Sequence, residues 1–400
     1  MGCRLPRAAL ELDRDTAQSW CVTWIRIPST ESYDVAVVGA GIVGLAHAAW
    51  ALDAGLRVLL LERDQRAVGA SVRNFGHVCV TGQAGELREL ATIARQRWLD
   101  LGRRAGLAVR ETGGVVVARG SDELAVLEEL SGRGHEGLGL LTAAQVRQRL
   151  GGCGADDIVG GAELGCDLRV DPRVAAHRLA AWLADQPGVD VLFRTNYLGF
   201  DGDTVHTSRG GARCQRVIVC VGHDLDYLYP ELAETHDVAR CALQMARVQA
   251  PGGVVIDPAV LTATSLLRYS AFAGTDAAQA LRARVAAARP DLLDIEANVM
   301  LTQRPDGTLI IGDSHHTEPT TDVFLSEHTS DTLHRAICEV LGVDQLNVHE
   351  RWQGVYASSP RGDYLVAELG DRVSVRVVTA GVGMTIAFGL AQRHFPGAGA

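Results

Sequence analysis

The first patterned part of the chain joins two apolar runs through a glycine-rich turn and an alanine-rich segment. Residues 33–38 are rich in valine and predict a buried strand, and residues 46–54 predict a helix that Gly55 ends. Residues 57–61 consist of Arg57 and four apolar residues and predict a second buried strand, which ends at Glu62. The pattern therefore predicts a strand–helix–strand unit with both strands in the interior.

One stretch inside this unit has the length of a membrane-spanning helix. Residues 35–52 are 18 residues without a charge, which reaches the usual threshold for a span. Three glycines in turn spacing and His47 lie within it and favour a strand, a tight turn and a buried helix instead. The sequence therefore predicts no membrane span.

The turn after the first strand has the spacing of a dinucleotide-binding loop. Gly39 permits a tight turn, Gly41 lets a pyrophosphate approach the backbone, and Gly44 lets the helix pack closely on the strand. Glu62 follows Gly44 by 18 residues (62 − 44), where an acid can accept hydrogen bonds from an unphosphorylated adenosine ribose. The same glycine pattern at 132–137 has no strand before it, so it predicts only a surface loop.

The rest of the chain predicts helices and a second sheet. Residues 122–130 and 174–184 have helical patterns, the second of them amphipathic. Between residues 231 and 347 short β-branched segments alternate with turns, and one helix-like run at 275–288 interrupts them. This pattern is typical of a mainly antiparallel sheet inserted into a nucleotide-binding domain.

The composition excludes several classes of chemistry. All 38 residues counted as Lys or Arg are arginine, so no lysine Schiff base and no P-loop or kinase lysine can exist. The net charge of −10 disfavours binding to nucleic acid. Nine cysteines without a Cys-x-x-Cys pair indicate reduced thiols in a cytoplasmic protein, not a zinc site. The first 32 residues lack an apolar core, so a signal peptide is not expected.

The segment after Glu62 favours FAD over NAD. Residues 63–76 are small and polar where an NAD domain would begin its next helix. They resemble the flavoprotein family of D-amino-acid, glycine and sarcosine oxidases, in which a Gly-Ala-Ser and an Asn-x-Gly group run along the FAD. Further segments are similar to this family in the same order: 170–172, 216–222, 303–312, 352–356 and 377–385.

The resemblance covers about residues 33–395 and implies an α/β fold. A Rossmann-type FAD-binding domain of the glutathione-reductase type would carry an inserted, mainly antiparallel substrate domain. The expected FAD-binding domain comprises 33–85, 155–230 and 345–395, and the expected substrate domain comprises 86–154 and 231–344. Residues 1–32 are either a disordered extension or an incorrectly assigned start.

The same resemblance implies a set of cofactor-binding residues. They are Gly39, Gly41, Ile42, Val43, Gly44, Glu62, Arg63, Ser71, Asn74, Phe75, Gly76, Gly222, Gly354, Gly381, Gly383, Met384 and Thr385. Residues 381–385 open the last helix, whose N–H groups and dipole would stabilise negative charge near flavin N1 and O2. Only one credible dinucleotide loop exists, so the electrons are expected to come from the substrate.

The substrate contacts implied by the resemblance contain one departure. The family holds the substrate carboxylate with an arginine just after its W-x-G segment, and Tyr356 occupies that place here. Either Arg361 substitutes for it, or the substrate is not a simple α-amino acid. The expected catalytic residues are His77, Tyr269, His315, Tyr356 and Arg361.

Two types of side chain in this set have alternative roles. His77, His315 and His316 either help to keep an amine neutral or hold local structure, and the two tyrosines are either active-site hydroxyls or sheet residues. A metal pair from His315 and His316 is not expected, because adjacent strand residues face opposite ways.

The segments 71–76 and 352–356 also resemble a subgroup associated with aminophosphonate breakdown. Its substrates would be amines of the 2-aminoethylphosphonate type, with or without N-methylation, and a phosphonate would need arginines in bidentate geometry. The candidates are Arg73, Arg268, Arg304, Arg351 and Arg361.

The predicted function is FAD-dependent oxidation of a small primary or secondary amine to an imine, with O2 or another electron acceptor. The alternatives are oxidation of a 2-hydroxy acid, or a role as a flavoprotein subunit of a larger complex; a homo-oligomer is also compatible with the sequence.

Overall fold

The computed structural model describes residues 32–395. The predicted extension 1–32, with Cys3 and Cys21, thus lies outside the described residues except for Ser32. In chain order, the strands are β1 (Ser32–Val38), β2 (Val58–Leu61), β3 (His77–Val78), β4 (Gly114–Ala118), β5 (Leu138–Thr142), β6 (Gly160–Leu164), β7 (Leu168–Arg169), β8 (Val189–Leu192), β9 (Tyr197–Asp201), β10 (Thr204–Thr207), β11 (Gly210–Val219), β12 (Ala239–Val248), β13 (Ala259–Leu261), β14 (Met300–Gln303), β15 (Leu309–Gly312), β16 (His316–Glu318), β17 (Val348–Ser358), β18 (Tyr364–Leu369) and β19 (Val373–Val378).

The helices lie between these strands. They are α1 (Ile42–Asp53), α2 (Gly85–Ala105), α3 (Ser121–Gly132), α4 (Ala143–Arg149), α5 (Pro172–Ala184), α6 (Leu225–Leu228), α7 (Pro230–Thr235), α8 (Ala263–Leu266), α9 (Ser270–Ala273), α10 (Ala277–Ala288), α11 (Pro290–Asp294), α12 (Glu327–Leu341) and α13 (Gly383–His394), with short 3-10 turns at Ala70–Val72, Gly222–Asp224 and Pro251–Gly253.

The first sheet has the order of a nucleotide-binding domain. Strands β19, β11, β1, β2 and β8 run parallel in that order, and β18 is antiparallel at one edge. Strand β10 pairs with β11, and β9 pairs with β10. The side chains of β2 are buried throughout because helices cover the sheet, which explains its unbroken apolar run. The predicted strand–helix–strand unit is confirmed as β1, α1 and β2.

The second sheet has nine strands and is mainly antiparallel. Its order is β16-β12-β15-β14-β13-β4-β6-β5, with β17 paired to β12, and only β4 and β13 run parallel to each other. The predicted α/β fold, with an inserted antiparallel domain, is confirmed. Residues 303–312 form the expected hairpin of β14 and β15.

Helices α8, α9, α11 and α12 of this region were not predicted, and α12 is the longest of them. Only a helix at 275–288 was expected there, and α10 matches it, but the longer helix α12 also lies in the segment. Its buried side includes Leu333, Ile337 and Leu341, which share a core cluster with the strands. The first turns of α12 are polar, so the apolar spacing emerges only over its second half.

Three segments do not lie in the domain to which the sequence assigned them. Helix α2 was expected in the substrate domain, and strands β6 and β17 were expected in the FAD-binding domain. Helix α2 packs on α13 in the nucleotide-binding domain, where the indole of Trp98 contacts Phe388 edge to face at 5.0 Å. Strand β6 pairs with β4 and β5, and β17 pairs with β12, so both belong to the nine-stranded sheet. Apolar spacing shows that a segment is buried but not which distant strand it contacts.

Residues 35–52 form the end of β1, the glycine turn and most of α1, as predicted, and the predicted loop after α3 is confirmed. Residues 133–137, after α3, form a connecting loop with left-handed glycines at 134 and 137. Within residues 32–395, no helix is both long and apolar enough to cross a membrane.

Candidate active site

A cavity of about 840 Å3 lies between the two sheets. The carboxyl ends of β1, β2, β11 and β19 line one side of it, and residues of β12, β14 and β17 line the other. Ligands of open α/β sheets bind outside the carboxyl ends of parallel strands. The volume is in the range of small-molecule and cofactor sites.

The glycines of the β1–α1 turn shape one end of this cavity. Gly39 has φ +101°, and a Cβ there would lie 2.6 Å from the carbonyl oxygen of Cys220. A Cβ on Gly44 would lie 1.9 Å from the carbonyl oxygen of Gly39, so Gly44 allows the helix to approach the turn. Gly41, with its neighbours Ile42 and Val43, lines the cavity.

The N-terminus of α1 suits a diphosphate. Its first turn contains no acidic residue, and no side chain caps it from the N-cap position. The N–H of Ile42 donates to the hydroxyl of Ser71 at 2.8 Å, which places that hydroxyl at the positive end of the helix. N–H groups and the helix dipole together favour an anion at this point.

Glu62 is fixed at the ribose end of the cavity. Its two carboxylate oxygens accept hydrogen bonds from the N–H groups of Ala40 at 2.8 Å and Asp64 at 3.0 Å. Burial raises the pKa of Glu62 above its usual value, although both bonds oppose the shift. Arg63 is held by Asp224 at 2.6 Å. The carboxylate therefore keeps lone pairs for ribose hydroxyls.

The segment 69–76 runs from α1 towards the second sheet. The side chain of Asn74 donates to the carbonyl oxygen of Ala70 and accepts from the N–H of Gly76, so it fixes this turn. Phe75 is buried and lines the cavity. A Cβ on Gly76 would lie 2.0 Å from the carbonyl oxygen of Val170, so Gly76 shapes the segment without lining the cavity.

The start of α13 lies beside the start of α1, where a Cβ on Gly383 would be 3.7 Å from the side chain of Ile42. Gly381, Gly383, Met384 and Thr385 line the cavity, and the first turn has neither an acidic residue nor a capping side chain. The carbonyl oxygen of Met384 accepts a hydrogen bond from the indole of Trp98 at 2.8 Å. Gly222 and Gly354 also line the cavity. This second uncapped helix start suits the negative charge of a reduced flavin.

The glycine turn, the fixed carboxylate and the two helix N-termini together fit an extended dinucleotide. A family model described as DAO, FAD dependent oxidoreductase, matches residues 34–393. The chain belongs to the DAO family of FAD-dependent oxidoreductases. FAD is therefore its cofactor, as predicted.

Solved structures agree with this family on the fold. Glycine oxidase from Bacillus cereus superposes with a TM-score of 0.71 at 17% identity, covering 90% of this chain and 93% of that one. L-proline dehydrogenase from P. horikoshii gives 0.73 at 16%, covering 90% and 92%. The FAD-bound L-alpha-glycerophosphate oxidase from Mycoplasma pneumoniae gives 0.69 at 19%, covering 91% and 94%. No curated protein sequence matches this DAO-family chain.

The remaining wall of the cavity carries a cluster of polar residues, of which Asp313 and His315 are buried and Arg268 is exposed. Arg268, which lies between α8 and α9, donates to the hydroxyl of Tyr356 at 2.8 Å. Asp313 and His315 are both buried and both line the cavity. Tyr269 lines it too, and burial raises the pKa of both tyrosines. The cluster can bind an anion at Arg268 and can exchange a proton at Asp313.

Asp313 and His315 have unusual ionisation. Burial raises the pKa of Asp313 to about 7, while the charge of Arg268 opposes the shift. Burial and Arg268 hold the pKa of His315 well below its usual value, so the ring is neutral. His315 Nε2 lies 3.7 Å from Asp313 Oδ2. Perturbed pairs of this kind are common at catalytic sites.

Four of the five predicted catalytic residues meet at the cavity, and the fifth does not. His77, Tyr269, His315 and Tyr356 all line it. Arg361 is exposed and pairs with Asp237 at 2.7 Å, so the prediction of Arg361 as a substrate-binding residue is corrected.

The other predicted cations and histidines are distributed more widely. Arg73 and Arg268 line the cavity. Arg304 pairs with Asp171 and Asp306, and Arg351 pairs with Glu327. His316 is exposed beside Glu318, opposite in burial to His315 as strand geometry predicts.

The sequence reasoning missed two residues of the site. Asp313 and Asn298 line the cavity, and their backbones exchange two hydrogen bonds of 2.8 and 2.9 Å. Asp313 directly follows the predicted hairpin, and a polar residue at a strand end was the available signal. Asn298 precedes the same hairpin on its other strand.

One further cluster has the side chains of a metal site. Ligand atoms of His77, Cys79 and Asp167 lie within 4.8 Å of one another. Asp167 already accepts hydrogen bonds from His77 Nε2 at 2.8 Å and from the N–H of Thr81 at 2.6 Å. Burial raises the pKa of the Cys79 thiol well above its usual value, which opposes the thiolate that a metal requires. A hydrogen-bonded pair that orients His77 explains the cluster.

Proposed function

We propose that the protein oxidises a small primary or secondary amine that also carries an acidic group. The observation that carries this proposal is the hydrogen-bonded pair of Arg268 and Tyr356 in the cavity of the FAD-binding residues. A guanidinium there would bind a carboxylate or a phosphonate by charge-assisted hydrogen bonds. An amine on the same small molecule would then lie near Asp313 and His315.

Each residue has a distinct task in this proposal. Bound FAD would accept a hydride from the carbon next to the nitrogen. Arg268 and Tyr356 would orient the substrate, and the start of α13 would stabilise negative charge next to the cofactor. The product would be an imine, which water hydrolyses. No side-chain nucleophile is needed.

Amino acids and aminophosphonates are the proposed substrate classes. Two of the structural neighbours are named as a glycine oxidase and an L-proline dehydrogenase, which supports an amino acid. The resemblance of segments 71–76 and 352–356 to the aminophosphonate subgroup supports a phosphonate. Arg73 also lines the cavity, although its Nη1 donates to the carbonyl oxygen of Gln353 at 3.2 Å.

A 2-hydroxy acid is the second candidate. The neutral His315 could accept a proton from an alcohol, and another neighbour is named as an L-alpha-glycerophosphate oxidase. Asp313 favours the amine, since an ammonium supplies the positive partner that a buried carboxylate requires.

Anaerobic bleaching of the FAD tests the proposal. The panel comprises glycine, N-methylglycine, L- and D-alanine, 2-aminoethylphosphonate, glycolate and lactate. The proposal expects at least one amine to bleach the yellow protein, and bleaching by the hydroxy acids alone would contradict it. Reoxidation of the bleached enzyme by air or only by a dye then identifies O2 or another acceptor.

A further inference from the structure

Asp313 has a buried carboxylate oxygen that makes no hydrogen bond of normal geometry within residues 32–395, although the side chain of Asn298 lies close enough to lower the pKa of the carboxyl. Its Oδ1 is buried and lacks a hydrogen-bond partner, while the residue lines the cavity. The side chain is about 7% exposed. An unpaired buried oxygen is costly, and natural proteins rarely leave one without a partner or a ligand. The oxygen is therefore placed to accept a hydrogen bond from a bound molecule.

His315 adds a second acceptor beside it. Its Nδ1 lies 2.8 Å from the carbonyl oxygen of Glu296, and a carbonyl can only accept, so Nδ1 carries the proton. In the neutral ring Nε2 is then a lone pair, and it lies 3.7 Å from Asp313 Oδ2. The two side chains together can take a proton from a ligand.

We infer that Asp313 and His315 form the ammonium subsite of this cavity, so that the substrate is a zwitterion with its acidic group at Arg268. The inference rests on the proposed amine oxidation and names its substrate class. Asp313 accepts a hydrogen bond from the substrate ammonium through Oδ1. The N–H bond then breaks, the proton passes to the carboxylate, and the electron pair stays on nitrogen.

The later steps balance. The freed nitrogen pair forms the C=N bond while the neighbouring C–H bond breaks, and its hydrogen leaves as a hydride to FAD. Two electrons thus leave the substrate, and the product is an iminium that water hydrolyses. The proton stays on Asp313, and the neutral His315 beside it adds no positive charge that would oppose this protonation.

Several groups around Asp313 set its titration. The titratable and charged groups on the elements around Asp313 come from two strands and from the loops. Cys241 lies on β12 and Tyr356 on β17. Arg268 and Tyr269 follow α8, and His315 and the exposed Glu296 lie on neighbouring loops. Arg268 is a fixed charge, burial raises the pKa of the thiol and both hydroxyls, and His315 is neutral. Asp313 is thus the group in this set that titrates near neutral pH, with a pKa of about 7.

The test compares ligands that differ only in the amine. Each amine of the panel is paired with its deamino counterpart, for example glycine with acetate and 2-aminoethylphosphonate with ethylphosphonate. The half-saturating concentration for anaerobic bleaching is measured for the amine. The Kd of the counterpart is measured from its perturbation of the flavin spectrum. In the carboxylate pairs the acidic group stays ionised from pH 6 to 8, so the ratio within such a pair reports on the amine alone.

In the wild type, the preference for the amine over its deamino counterpart should decrease as pH falls from 8 to 6. The reason is that protonated Asp313 cannot pair with an ammonium. Asp313→Asn should raise the half-saturating concentration of the amine at least about tenfold and abolish this pH dependence. It should leave the Kd of the counterpart within about twofold. Asp237→Asn, which removes an exposed carboxylate that does not line the cavity, is the matched control and should change neither value.

The outcomes separate the two proposals. Suppose that amines bleach the wild type, but that its amine preference does not change with pH and Asp313→Asn does not lose this preference. The ammonium subsite is then wrong, and amine oxidation stands. An equal loss for both members of the pair would also overturn the subsite. If no amine bleaches the wild type, both proposals fail. Asp313→Glu, which keeps the charge, should restore part of the amine preference if Asp313→Asn does not retain FAD.

Discussion

The guanidinium of Arg268 donates a hydrogen bond of 2.8 Å to the hydroxyl of Tyr356. Tyr356 lies on β17, at the place where the resemblance to the family implies an arginine, whereas Arg268 lies between α8 and α9. A tyrosine at position 356 therefore holds a guanidinium that comes from a different segment. The cavity thus has a guanidinium that comes from outside β17, and in the proposed function it binds the acidic group of the substrate.

Replacing Arg268 tests its proposed role. Arg268→Ala should raise the half-saturating concentration of an acidic amine about 100-fold, since charge-assisted bonds contribute about 3 kcal/mol. Arg268→Lys should be intermediate because a lysine cannot form the bidentate fork. The measurement is the anaerobic bleaching rate against substrate concentration. Arg361→Ala is the control, since Arg361 is exposed and pairs with Asp237, and it should match the wild type.

Glu62 should govern the retention of FAD. Its carboxylate accepts from two N–H groups, of Ala40 and Asp64, and a glutamine would direct an NH2 group at one of them. Glu62→Gln should therefore weaken FAD binding about tenfold or more. Titration of the apoprotein with FAD, followed by flavin fluorescence, measures this. Glu111→Gln, at an exposed pair with Arg95, should leave the affinity unchanged, and equal affinity in both variants would contradict the ribose role.

Gly44 should tolerate no side chain. A Cβ there would lie 1.9 Å from the carbonyl oxygen of Gly39, which cannot move without the turn. Gly44→Ala should lower the free energy of unfolding by about 2–4 kcal/mol and reduce FAD content. Gly132→Ala, at the end of α3, meets open space and should be neutral. Thermal unfolding of both variants measures the difference, and equal melting temperatures would show that the turn can adapt.

Glu350 should make stability depend on pH in the acid range. It lies on β17 and pairs with Arg247 of β12 at 2.8 Å and with Arg173 of α5 at 2.6 Å. The second pair connects the nine-stranded sheet with a helix of the nucleotide-binding domain. The bond to Arg247 is the main cause that lowers the pKa of Glu350 to about 2 from 4.5, against the effect of burial. The stabilisation is therefore present above pH 4.5 and is lost as pH falls towards 2.

Glu350→Gln should remove that dependence. After allowance for solvent screening, we expect a loss of roughly 1–2 kcal/mol at pH 7 and a smaller loss below pH 4. Urea unfolding at several pH values measures it. Glu327→Gln, whose side chain is 70% exposed beside Arg351, is the control and should unfold like the wild type. A constant difference between Glu350→Gln and the wild type from pH 7 to 3 would contradict the assignment.

Much of the cofactor region could be predicted from local sequence. The glycine spacing at 39–44, the acid at Glu62 and the glycines at 381–383 are requirements of short backbone segments, and the structure places each of them at the cavity or in its supporting turns. Strand β2 and helix α1 follow from runs whose periodicity is complete within a dozen residues. These features of the cofactor region therefore lie in a few continuous segments, each of which can be recognised on its own.

The substrate end could not be predicted in the same way. Arg268 and Tyr356 are 88 residues apart in the chain, and their contact depends on how β12 aligns with β17. The same pairing leaves Arg361 beyond the end of β17, against Asp237. Five arginines were equivalent candidates in the sequence, since charge alone does not specify a neighbour.

The sequence by itself determined the nucleotide-binding unit, the α/β class and the absence of lysine from the chemistry. Those features depend on backbone conformations and apolar periods that a short segment sets on its own. The tertiary structure alone decided that Asp313, His315 and Arg268 line one cavity, with the first two buried in its wall. The pKa of Asp313 near 7 has the same origin, because burial is a property of the packed fold and not of the residue type.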